Sequence, residues 1–304
     1  MRVLVAGASG LIGTALVQHL HESGHDVVRL VRRTPRSPDE VAWDPVAGSI
    51  DVGAVAASDA VVDLAGVPVA TRPLTAARKR EVLVSRVQTA GLLSRTLADL
   101  AGRDGAGPRV LLQASGIGAY GDRGDTLLDE HEPLGDTFFA GVVRRWEAAT
   151  APAQEAGVRV VHLRTGIVLS AHGGAAAPLL LPLRAGVAPR LGSGRQYWSW
   201  ISLLDEVRAI AHLLTADVHG PANLVARADR HGDLVGALRA AWGAHVTVPA
   251  PAPLLRLALR DFASEVLGSV NADPAALRAS GFVPRHATVT EVAQWLRASR
   301  RPAP

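Results

Sequence analysis

The chain opens with Arg2-Val-Leu-Val-Ala6 and continues with Gly7-Ala-Ser-Gly10-Leu-Ile-Gly13, and this stretch decides the fold. The first five residues are a short apolar and β-branched run, which is typical of a strand buried on both faces of a sheet. A helix pattern follows the glycines, from Ile12 to about Glu22. A strand, a glycine-rich turn and a helix in succession predict the first unit of an α/β sheet.

The three glycines of this stretch predict a dinucleotide-binding turn. A tight turn and a close approach of backbone to a pyrophosphate both require residues without a β-carbon. The helix N-terminus supplies N–H donors and the positive end of a dipole, and the third glycine lets the helix pack closely on the strand. The motif lies in the context that makes it specific. We expect the cofactor to be bound by Gly7, Ser9, Gly10, Leu11, Ile12 and Gly13.

Strand and helix patterns alternate outward from the motif. They predict buried strands at 26–31, 60–65, 109–114 and 158–163, helices at 75–101 and 137–156, and a loop over the proline-containing residues 34–58. Such alternation predicts an α/β fold built on a Rossmann-type, doubly wound parallel sheet with right-handed crossovers.

The alternation loosens after Arg164, where prolines and short helical segments become frequent. We therefore expect a dinucleotide-binding Rossmann domain over residues 1–165, whose core sheet can include later strands. A smaller C-terminal substrate-binding portion is expected over residues 166–304. Pro249-Ala-Pro-Ala-Pro253 is typical of a linker before a final helical piece.

Composition excludes several classes of function. The chain of 304 residues has no cysteine, so disulfides and thiolate chemistry are excluded, and a cytoplasmic location is expected. Lys79 is the only lysine among 32 basic residues, and the arginines are scattered among acids without a stripe of aromatic residues. No nucleic-acid partner is therefore predicted. The apolar stretch over 175–183 is broken by prolines and is too short to span a membrane.

The end of the second predicted strand indicates which nicotinamide cofactor is preferred. A site that prefers NAD usually has Asp or Glu there, bound to the ribose hydroxyls. This chain has Arg29-Leu-Val-Arg32-Arg33 instead. Arg32 or Arg33 can pair with a 2′-phosphate through charge-assisted hydrogen bonds, so NADP(H) is predicted over NAD(H). The alternative is two solvated arginines on a loop.

One motif suggests a metal but does not predict one. His21-Glu-Ser-Gly-His25 matches the pattern of zinc proteases, which requires both histidines on one face of a continuous helix. Gly24 falls where the first helix is expected to stop. We therefore predict no metal site.

Beyond the glycine motif, several pieces of sequence resemble the extended branch of the short-chain dehydrogenase/reductase superfamily. They are Asp63-Leu-Ala-Gly66, Ser85-Arg86, Ala119-Tyr-Gly-Asp122, Trp146-Glu147, Arg164-Thr-Gly-Ile-Val-Leu169, Leu191-Gly-Ser-Gly-Arg-Gln196 and Ser199-Trp-Ile201. The last four are similar to an atypical subgroup, the "epimerase family" related to NAD-dependent epimerases and dehydratases, which carries a C-terminal DUF1731 segment. Residues 254–304 resemble that segment, so the likeness covers nearly the whole chain.

The resemblance implies further site residues. Added to the glycine motif, it implies cofactor contacts from Leu64, Ala65, Gly66, Arg86, Arg164 and Gly166. A loop after Gly173 is expected to cover the nicotinamide end, with Tyr197 and Trp198 as apolar walls for a small-molecule substrate. Extended members often dimerise through two long helices, so the resemblance allows a homodimer formed through 75–101 and 137–156.

The proton relay of the superfamily is missing. Its members use a Ser or Thr with a Tyr-x-x-x-Lys pair, in which the ammonium four residues away lowers the pKa of the phenol. The two tyrosines, Tyr120 and Tyr197, are followed four positions later by glycine and isoleucine. Phe139 or a neighbour stands where the Tyr belongs, and Arg144 is the cation nearest to the Lys position.

Two hydroxyl groups remain as candidate catalytic residues. Ser115 matches the superfamily's catalytic Ser or Thr, although it can equally be a turn residue that satisfies local backbone. Tyr120 in the next loop is an alternative acid, although this tyrosine commonly packs in the family. Glu147 is expected to be structural, and His162 is expected to be a satisfied histidine of the core.

Three functions are compatible with these residues. The first is an NADPH-dependent oxidoreductase that reduces a small carbonyl or enone, with Ser115 orienting the oxygen and Tyr120 or water supplying the proton. The second is a redox sensor or scaffold that binds NADPH without chemistry, which the missing Tyr and Lys favour. The third is an epimerase or dehydratase with a retained cofactor. Gln113, Asp63 and Ser202 depart from the family pattern and leave the substrate open.

Overall fold

The computed structural model describes residues 1–69, 72–103, 107–174 and 176–299. The strands are β1 (Arg2–Ala6), β2 (Asp26–Val31), β3 (Glu40–Asp44), β4 (Ser49–Ile50), β5 (Ala60–Asp63), β6 (Val110–Gly116), β7 (Leu127–Leu128), β8 (Arg159–Thr165), β9 (Ile167–Ser170), β10 (Gly173–Gly174), β11 (Val187–Leu191), β12 (Tyr197–Ser202), β13 (Gly220–Leu224), β14 (Arg227–Arg230), β15 (Val246–Ala250) and β16 (Asn271–Ala272).

The helices are α1 (Leu11–Glu22), α2 (Val52–Ala56), α3 (Ala76–Ala101), α4 (Phe138–Ala148), α5 (Ala151–Glu155), α6 (Ala177–Arg184), α7 (Leu203–Leu213), α8 (His231–Trp242), α9 (Ala252–Leu259), α10 (Ala263–Leu267), α11 (Ala275–Ala279) and α12 (Val289–Ala298). Two turns of 3₁₀-helix lie at Ile117–Ala119 and Arg260–Phe262. Within the described residues, none of the helices is long and apolar enough to cross a membrane.

The chain forms two compact units. The first unit contains Met1–Gly116, Gly141–Arg164 and Val207–Ala222, and the second contains Ile117–Ala140, Thr165–Glu206 and the residues from Asn223 onward. The sequence analysis placed one boundary at residue 165. The structure instead puts residues 117–140 in the second unit and returns 207–222 to the first, because the chain crosses between the units more than once.

An eight-stranded sheet dominates the first unit, in the order β13-β8-β6-β5-β1-β2-β3-β4. The strands from β6 to β3 are parallel to their neighbours, with Val3 opposite Val27 on one side and Ala60 on the other. β1 and β5 are buried along almost their whole length, as their continuous apolar sequences predict. The predicted Rossmann-type parallel sheet is thus confirmed.

A single apolar cluster fills one side of this sheet. It brings strand residues together with α3 and α5, and among its members are Leu4, Leu30, Trp43, Leu93, Leu97, Leu111 and Ala153. Such a cluster buries hydrophobic area, the main favourable term in folding, and so holds the carboxyl ends of the strands in place.

The second unit has its own sheet and core. β10, β9, β12 and β14 form a four-stranded sheet in that order, and two smaller pairs join β11 to β15 and β16 to β7. Its largest described cluster includes Leu169, Leu180, Trp198, Trp200, Leu234, Val292 and Leu296. The C-terminal helix α12 therefore belongs to this core, and its start is fixed by a capping box between Thr288 and Glu291.

Two local expectations were wrong. Residues 34–58 are not all loop, because β3, β4 and α2 lie within them and Trp43 turns into the core. The predicted helix over 137–156 is two helices, since Pro152 lies in the first turn of α5 and cannot continue α4. The first helix does stop as predicted: α1 ends at Glu22, and Gly24 has φ +79°.

The glycine turn depends on contacts that leave no room for a side chain. Gly7 has φ +76°, and a β-carbon there would lie 2.6 Å from the carbonyl carbon of Leu64. A β-carbon on Gly13 would lie 2.2 Å from the carbonyl oxygen of Gly7. The first turn of α1 therefore packs directly on the backbone that leaves β1, and β5 packs on the same turn from the other side.

We expect Gly13→Ala to lower the free energy of unfolding by about 3 kcal/mol, because the new methyl group overlaps fixed backbone. Gly141→Ala on α4 is the matched control, since a β-carbon there meets nothing within 4 Å. It should raise the free energy of unfolding by about 0.5–1 kcal/mol, the gain of Ala over Gly in a helix. Urea unfolding of both variants measures this. Equal stability of the two variants would contradict the close packing of Gly13 on the carbonyl oxygen of Gly7.

Candidate functional site

The turn between β1 and α1 forms an open cradle for an anion. Gly10 begins α1 in an extended conformation, no side chain caps the helix, and its first turn holds no acidic residue. A β-carbon on Gly10 would meet only the carbonyl oxygen of Gly7, at 3.4 Å, so the outer side of this turn is open. N–H donors and the helix dipole at such a turn suit a pyrophosphate. The residues present therefore fit a dinucleotide cofactor.

The structure separates the two arginines that follow β2. Both Nη atoms of Arg33 donate to the carboxylate of Glu40, each at 2.7 Å. These hydrogen bonds, with a further one from the backbone N–H of Arg36, lower the pKa of Glu40 to about 2. Arg32 is exposed, and no hydrogen bond or ion pair joins it to the described chain. Arg32 is therefore available to a ligand, whereas Arg33 is held by Glu40.

The loop after β5 is held by a buried carboxyl group. Asp63 is fully buried, accepts a hydrogen bond from the backbone N–H of Ala65 at 2.9 Å, and accepts another from Nε2 of Gln113 at 3.0 Å. Burial raises its pKa to about 6, against the opposing effect of these hydrogen bonds. Oε1 of Gln113 is buried and has no hydrogen-bond partner among the described residues. The two departures from the family pattern, Asp63 and Gln113, thus form one pair.

Arg86 on α3 lies against this loop. A β-carbon on Gly66 would approach its guanidinium to 3.3 Å, and its Nη1 donates to the carbonyl oxygens of Val67 and Val82. The guanidinium carbon lies 4.9 Å from the ring centre of Trp146, a cation–π distance. Burial, with the nearby charge of Arg78, lowers its pKa to about 10. The structure thus brings together two of the predicted cofactor residues, Gly66 and Arg86.

Ser115, Glu147 and Arg164 form a buried hydrogen-bonded cluster. The Ser115 hydroxyl donates to Oε1 of Glu147 at 2.7 Å. Arg164 donates to the same carboxylate through Nε and Nη2, both at 2.9 Å. Burial acts to raise the pKa of Glu147, but the hydrogen bonds and charge of Arg164, with the charge of His162, outweigh it, so the pKa is lowered. Glu147 is therefore a carboxylate, and the hydroxyl proton of Ser115 is committed to it.

Glu147 is the site residue that the sequence analysis missed. It was expected to be structural, yet it binds two of the predicted site residues, Ser115 and Arg164. No spacing could reveal this, because the three side chains come from a helix and two strands. His162 is buried beside them with Nε2 2.8 Å from the Thr150 hydroxyl, and burial lowers its pKa.

Tyr120 lies in the core of the second unit, which removes it from the candidate acids. Its side chain is fully buried in a cluster with Ile117, Leu128 and Val225. Its hydroxyl donates to Oδ1 of Asn223 at 2.7 Å. A hydroxyl with a buried partner and no exposed surface cannot reach a substrate, so the prediction of a catalytic Tyr120 is corrected.

The predicted apolar walls also have other partners. Trp198 is 4% exposed, and its Nε1 donates to the carbonyl oxygen of Val266 at 3.1 Å, so it is a core residue and not a substrate wall. The ring of Tyr197 is covered by the guanidinium of Arg230 at 3.9 Å. Gly166 has a packing reason of its own, since a β-carbon would lie 2.7 Å from the carbonyl oxygen of Ser199.

The difference in unfolding free energy between the Asp63→Asn variant and the wild type should grow in favour of the variant as pH rises. The folded-state pKa of Asp63 is raised above its unfolded value, so the stability that its protonated form contributes is lost between about pH 4 and pH 6. Asn cannot ionise, and a turned amide of Gln113 can accept its N–H. We expect the difference in unfolding free energy between variant and wild type to grow by up to about 3 kcal/mol across this window.

Urea unfolding at about pH 4 and about pH 8 measures that difference. Asp99→Asn, on the exposed face of α3, is the control and should give the same difference at both pH values. A difference for Asp63→Asn that shrinks or stays constant as pH rises would contradict the buried carboxyl group.

Comparisons with known sequences agree with the motifs. The NAD dependent epimerase/dehydratase family matches residues 3–226, and DUF1731, a domain of unknown function, matches residues 250–296. An epimerase family protein of Mycobacterium bovis is 40% identical over 292 residues, which are 95% of each chain. The human epimerase family protein SDR39U1 is 35% identical over 261 residues, 84% of this chain and 85% of the human one.

Solved structures give the same result. The crystal structure of human SDR39U1 with NADPH has a TM-score of 0.88 and 31% identity, and covers 98% of this chain and 99% of that one. A nucleoside-diphosphate sugar epimerase from Corynebacterium glutamicum has a TM-score of 0.78 and 31% identity over 97% of this chain and 58% of its own. The chain therefore belongs to the NAD dependent epimerase/dehydratase family, within the atypical extended short-chain dehydrogenases that carry a DUF1731 segment.

Proposed function

We propose that the chain is an NADP(H)-dependent oxidoreductase that reduces a small carbonyl or enone without a Tyr/Lys pair. The cofactor preference rests on the different partners of the two arginines that follow β2. Arg33 neutralises Glu40 at the start of β3, and Arg32 is left exposed. A neutralised carboxylate beside a free guanidinium favours a 2′-phosphate over ribose hydroxyls. The NADPH in the related human structure supports this assignment.

The chain's own residues would bind and orient the cofactor. The free N–H groups of the first turn of α1, from Leu11 onward, would hold the pyrophosphate, and Arg32 would hold the 2′-phosphate. The loop carrying Gly66, backed by Arg86, would line the adenosine and ribose side. When bound, NADPH supplies the two electrons of the reduction as a hydride.

The arrangement in the structure does not let Ser115 hold the oxygen of a carbonyl substrate. Its hydroxyl is fixed by Glu147, which in turn is fixed by Arg164. In this arrangement the Ser115 oxygen can accept a hydrogen bond but has no proton left to donate. A carbonyl oxygen also only accepts, so Ser115 could bind it only after turning its hydroxyl away from Glu147, and the proton of the reduction must come from another residue or from water.

A redox sensor is the second candidate, and one observation favours it. Neither of the two hydroxyl groups predicted to be catalytic has a free proton, because Ser115 donates to Glu147 and Tyr120 donates to Asn223. A protein that binds NADPH without chemistry needs no proton donor. The reductase predicts consumption of NADPH with a carbonyl substrate, and the sensor predicts binding without consumption.

Arg32→Ala should weaken NADPH binding by about 10- to 100-fold, the loss of one charge-assisted pair with a phosphate. Binding of NADH should change less than about twofold, because NADH has no 2′-phosphate. Arg103→Ala is the control, an exposed arginine in the turn after α3 that should alter neither affinity. Calorimetric titration of each variant with both cofactors measures the effect. Equal losses for NADPH and NADH would contradict the assignment of Arg32.

The reductase itself is tested by mixing the NADPH-loaded wild type with benzaldehyde, cyclohexanone, methyl vinyl ketone and phenanthrenequinone. Loss of NADPH absorbance with at least one of them, in proportion to enzyme, is the expected result. Tight NADPH binding with no consumption on any carbonyl would reject the reductase and favour the sensor.

A further inference from the structure

Arg86 is a cation of the first unit that lacks an acid partner. It lies half-buried on α3, and no carboxylate of the described chain forms an ion pair with its guanidinium. Asp63, whose charge acts on it, instead accepts hydrogen bonds from Ala65 and Gln113. The charge of Arg78 adds to the positive excess, and with a pKa of about 10 the Arg86 side chain is still a cation at neutral pH. A buried cation without a counter-charge is costly, so this one is a candidate for binding an anion.

The structure holds the guanidinium of Arg86 in one orientation. Its central carbon lies 4.9 Å from the ring centre of Trp146, and a β-carbon on Gly66 would approach it to 3.3 Å. Nη1 donates to the carbonyl oxygens of Val67 at 3.2 Å and Val82 at 3.1 Å. The side chain therefore has little freedom left to lose when a ligand binds, which favours affinity.

The opposite edge of the guanidinium is left for a ligand. Nε and Nη2 of Arg86 donate to no residue in the part of the chain that the structure describes, and both are open to solvent. The indole N–H of Trp146, in the ring that the guanidinium packs on, is buried and has no acceptor among the described residues. Donors therefore outnumber acceptors at this point. A negatively charged group that accepts hydrogen bonds and donates none matches this surplus.

A second arginine of the first unit shows what this edge of a guanidinium binds. Nε and Nη2 of Arg164 each donate to an oxygen of the Glu147 carboxylate, both at 2.9 Å. These are the same two atoms that are open on Arg86. Because the two N–H groups are parallel and fixed in one plane, they match the two oxygens of a carboxylate. The open edge of Arg86 therefore suits a carboxylate from outside the chain.

The proposed cofactor does not supply this anion. Its pyrophosphate is assigned to the first turn of α1, and its 2′-phosphate is assigned to Arg32. The anion at Arg86 is thus left to the substrate. Trp146, on which Arg86 packs, is followed on α4 by Glu147, which binds Ser115. All of these residues belong to the first unit, so the open guanidinium and the Ser115 cluster lie on one body.

We propose that Arg86 binds a carboxylate of the substrate, so that the substrate is an oxo acid or an unsaturated oxo acid and not a neutral carbonyl compound. This rests on the proposed reductase function. The carboxylate accepts hydrogen bonds from Nε and Nη2, while Nη1 stays on the loop that carries Gly66. Arg86 is then a determinant of specificity, because a neutral analogue leaves its guanidinium without a counter-charge.

Matched pairs of acid and methyl ester test the substrate class. The NADPH-loaded wild type is assayed with pyruvate, levulinate and 4-carboxybenzaldehyde, each against its methyl ester. In at least one pair kcat/KM should favour the acid by at least about 10-fold, the effect of one charge-assisted bidentate contact. Arg86→Gln, which keeps an N–H donor but no charge, should reduce this preference to less than about twofold. Arg95→Gln, an exposed arginine on the same helix, is the control and should keep it.

Calorimetry separates binding from chemistry. The NADPH-loaded wild type should bind benzoate at least about tenfold more tightly than methyl benzoate, and Arg86→Gln should lose that difference. The affinity of both variants for NADPH should stay within about twofold of wild type. Urea unfolding shows whether Arg86→Gln is folded. If it is not, Arg86→Lys takes its place, because it keeps the charge without the planar fork, and the preference for benzoate should fall at least about threefold.

The outcomes separate the two proposals. A wild type that prefers no acid to its ester, in turnover or in binding, would overturn the role of Arg86 and leave the reductase intact. Loss of NADPH affinity by about tenfold or more in Arg86→Gln, with the acid preference kept, would assign Arg86 to the cofactor and also overturn it. A wild type that binds benzoate through Arg86 but reduces neither acids nor neutral carbonyls would overturn the reductase and the substrate class with it.

Discussion

The close approach of three stretches of backbone underlies the site. The first turn of α1 packs on the residue that leaves β1, and the end of β5 packs on the same residue, with no space for a β-carbon at Gly7 or Gly13. The N–H of Gly10 donates to the carbonyl oxygen of Gly7 inside this turn, so the N–H groups left for an anion are those of the first turn of α1. The anion cradle is therefore a consequence of how the sheet and its first helix pack, and it costs no additional side chain.

Around that cradle, three buried or half-buried acids of the first unit each have hydrogen-bond partners. Glu40 is held by Arg33, Glu147 by Arg164 and Ser115, and Asp63 by Gln113 and a backbone N–H. A buried charge without a partner is costly, so each pair is also a restraint on the loop or helix that carries it. Arg32 differs from these groups because it has no such partner and faces solvent. Arg32 is thus an exposed cation directly after β2, where we propose that a 2′-phosphate binds.

In the second unit, burial raises the pKa values of two carboxyl groups, Glu206 and Glu265. Glu206 is fully buried and accepts a hydrogen bond from the Thr165 hydroxyl at 2.8 Å, and burial raises its pKa to about 8. Glu265 has no such partner and is partly exposed. Burial raises the pKa of Glu265 to about 7, and its partial exposure lets it exchange its proton with water, which the buried Glu206 cannot do.

The sequence predicts most of the parallel sheet, because β1, β2, β5, β6 and β8 are continuous apolar runs whose pattern is local. It misses β3, where Glu40-Val-Ala-Trp-Asp44 gives no clear alternation, and it joins α4 to α5 across a proline. The glycine turn is predictable, since backbone geometry restricts the residue type. The partners of Ser115, Tyr120 and Arg32 are not predictable, because each is set by side chains from distant segments. A lone carboxyl group such as Glu265 has no sequence signal at all, since its pKa depends on which groups surround it in the fold.

The central claim is that the outward-facing turn and Arg32 bind NADPH as one site. A crystal structure of the chain with NADPH tests it most directly. The account predicts the pyrophosphate on the N–H groups of residues 11–13 and the 2′-phosphate on Arg32, with Arg33 still bound to Glu40. A 2′-phosphate bound to Arg33 with Glu40 displaced, or a pyrophosphate away from the glycine turn, would contradict it.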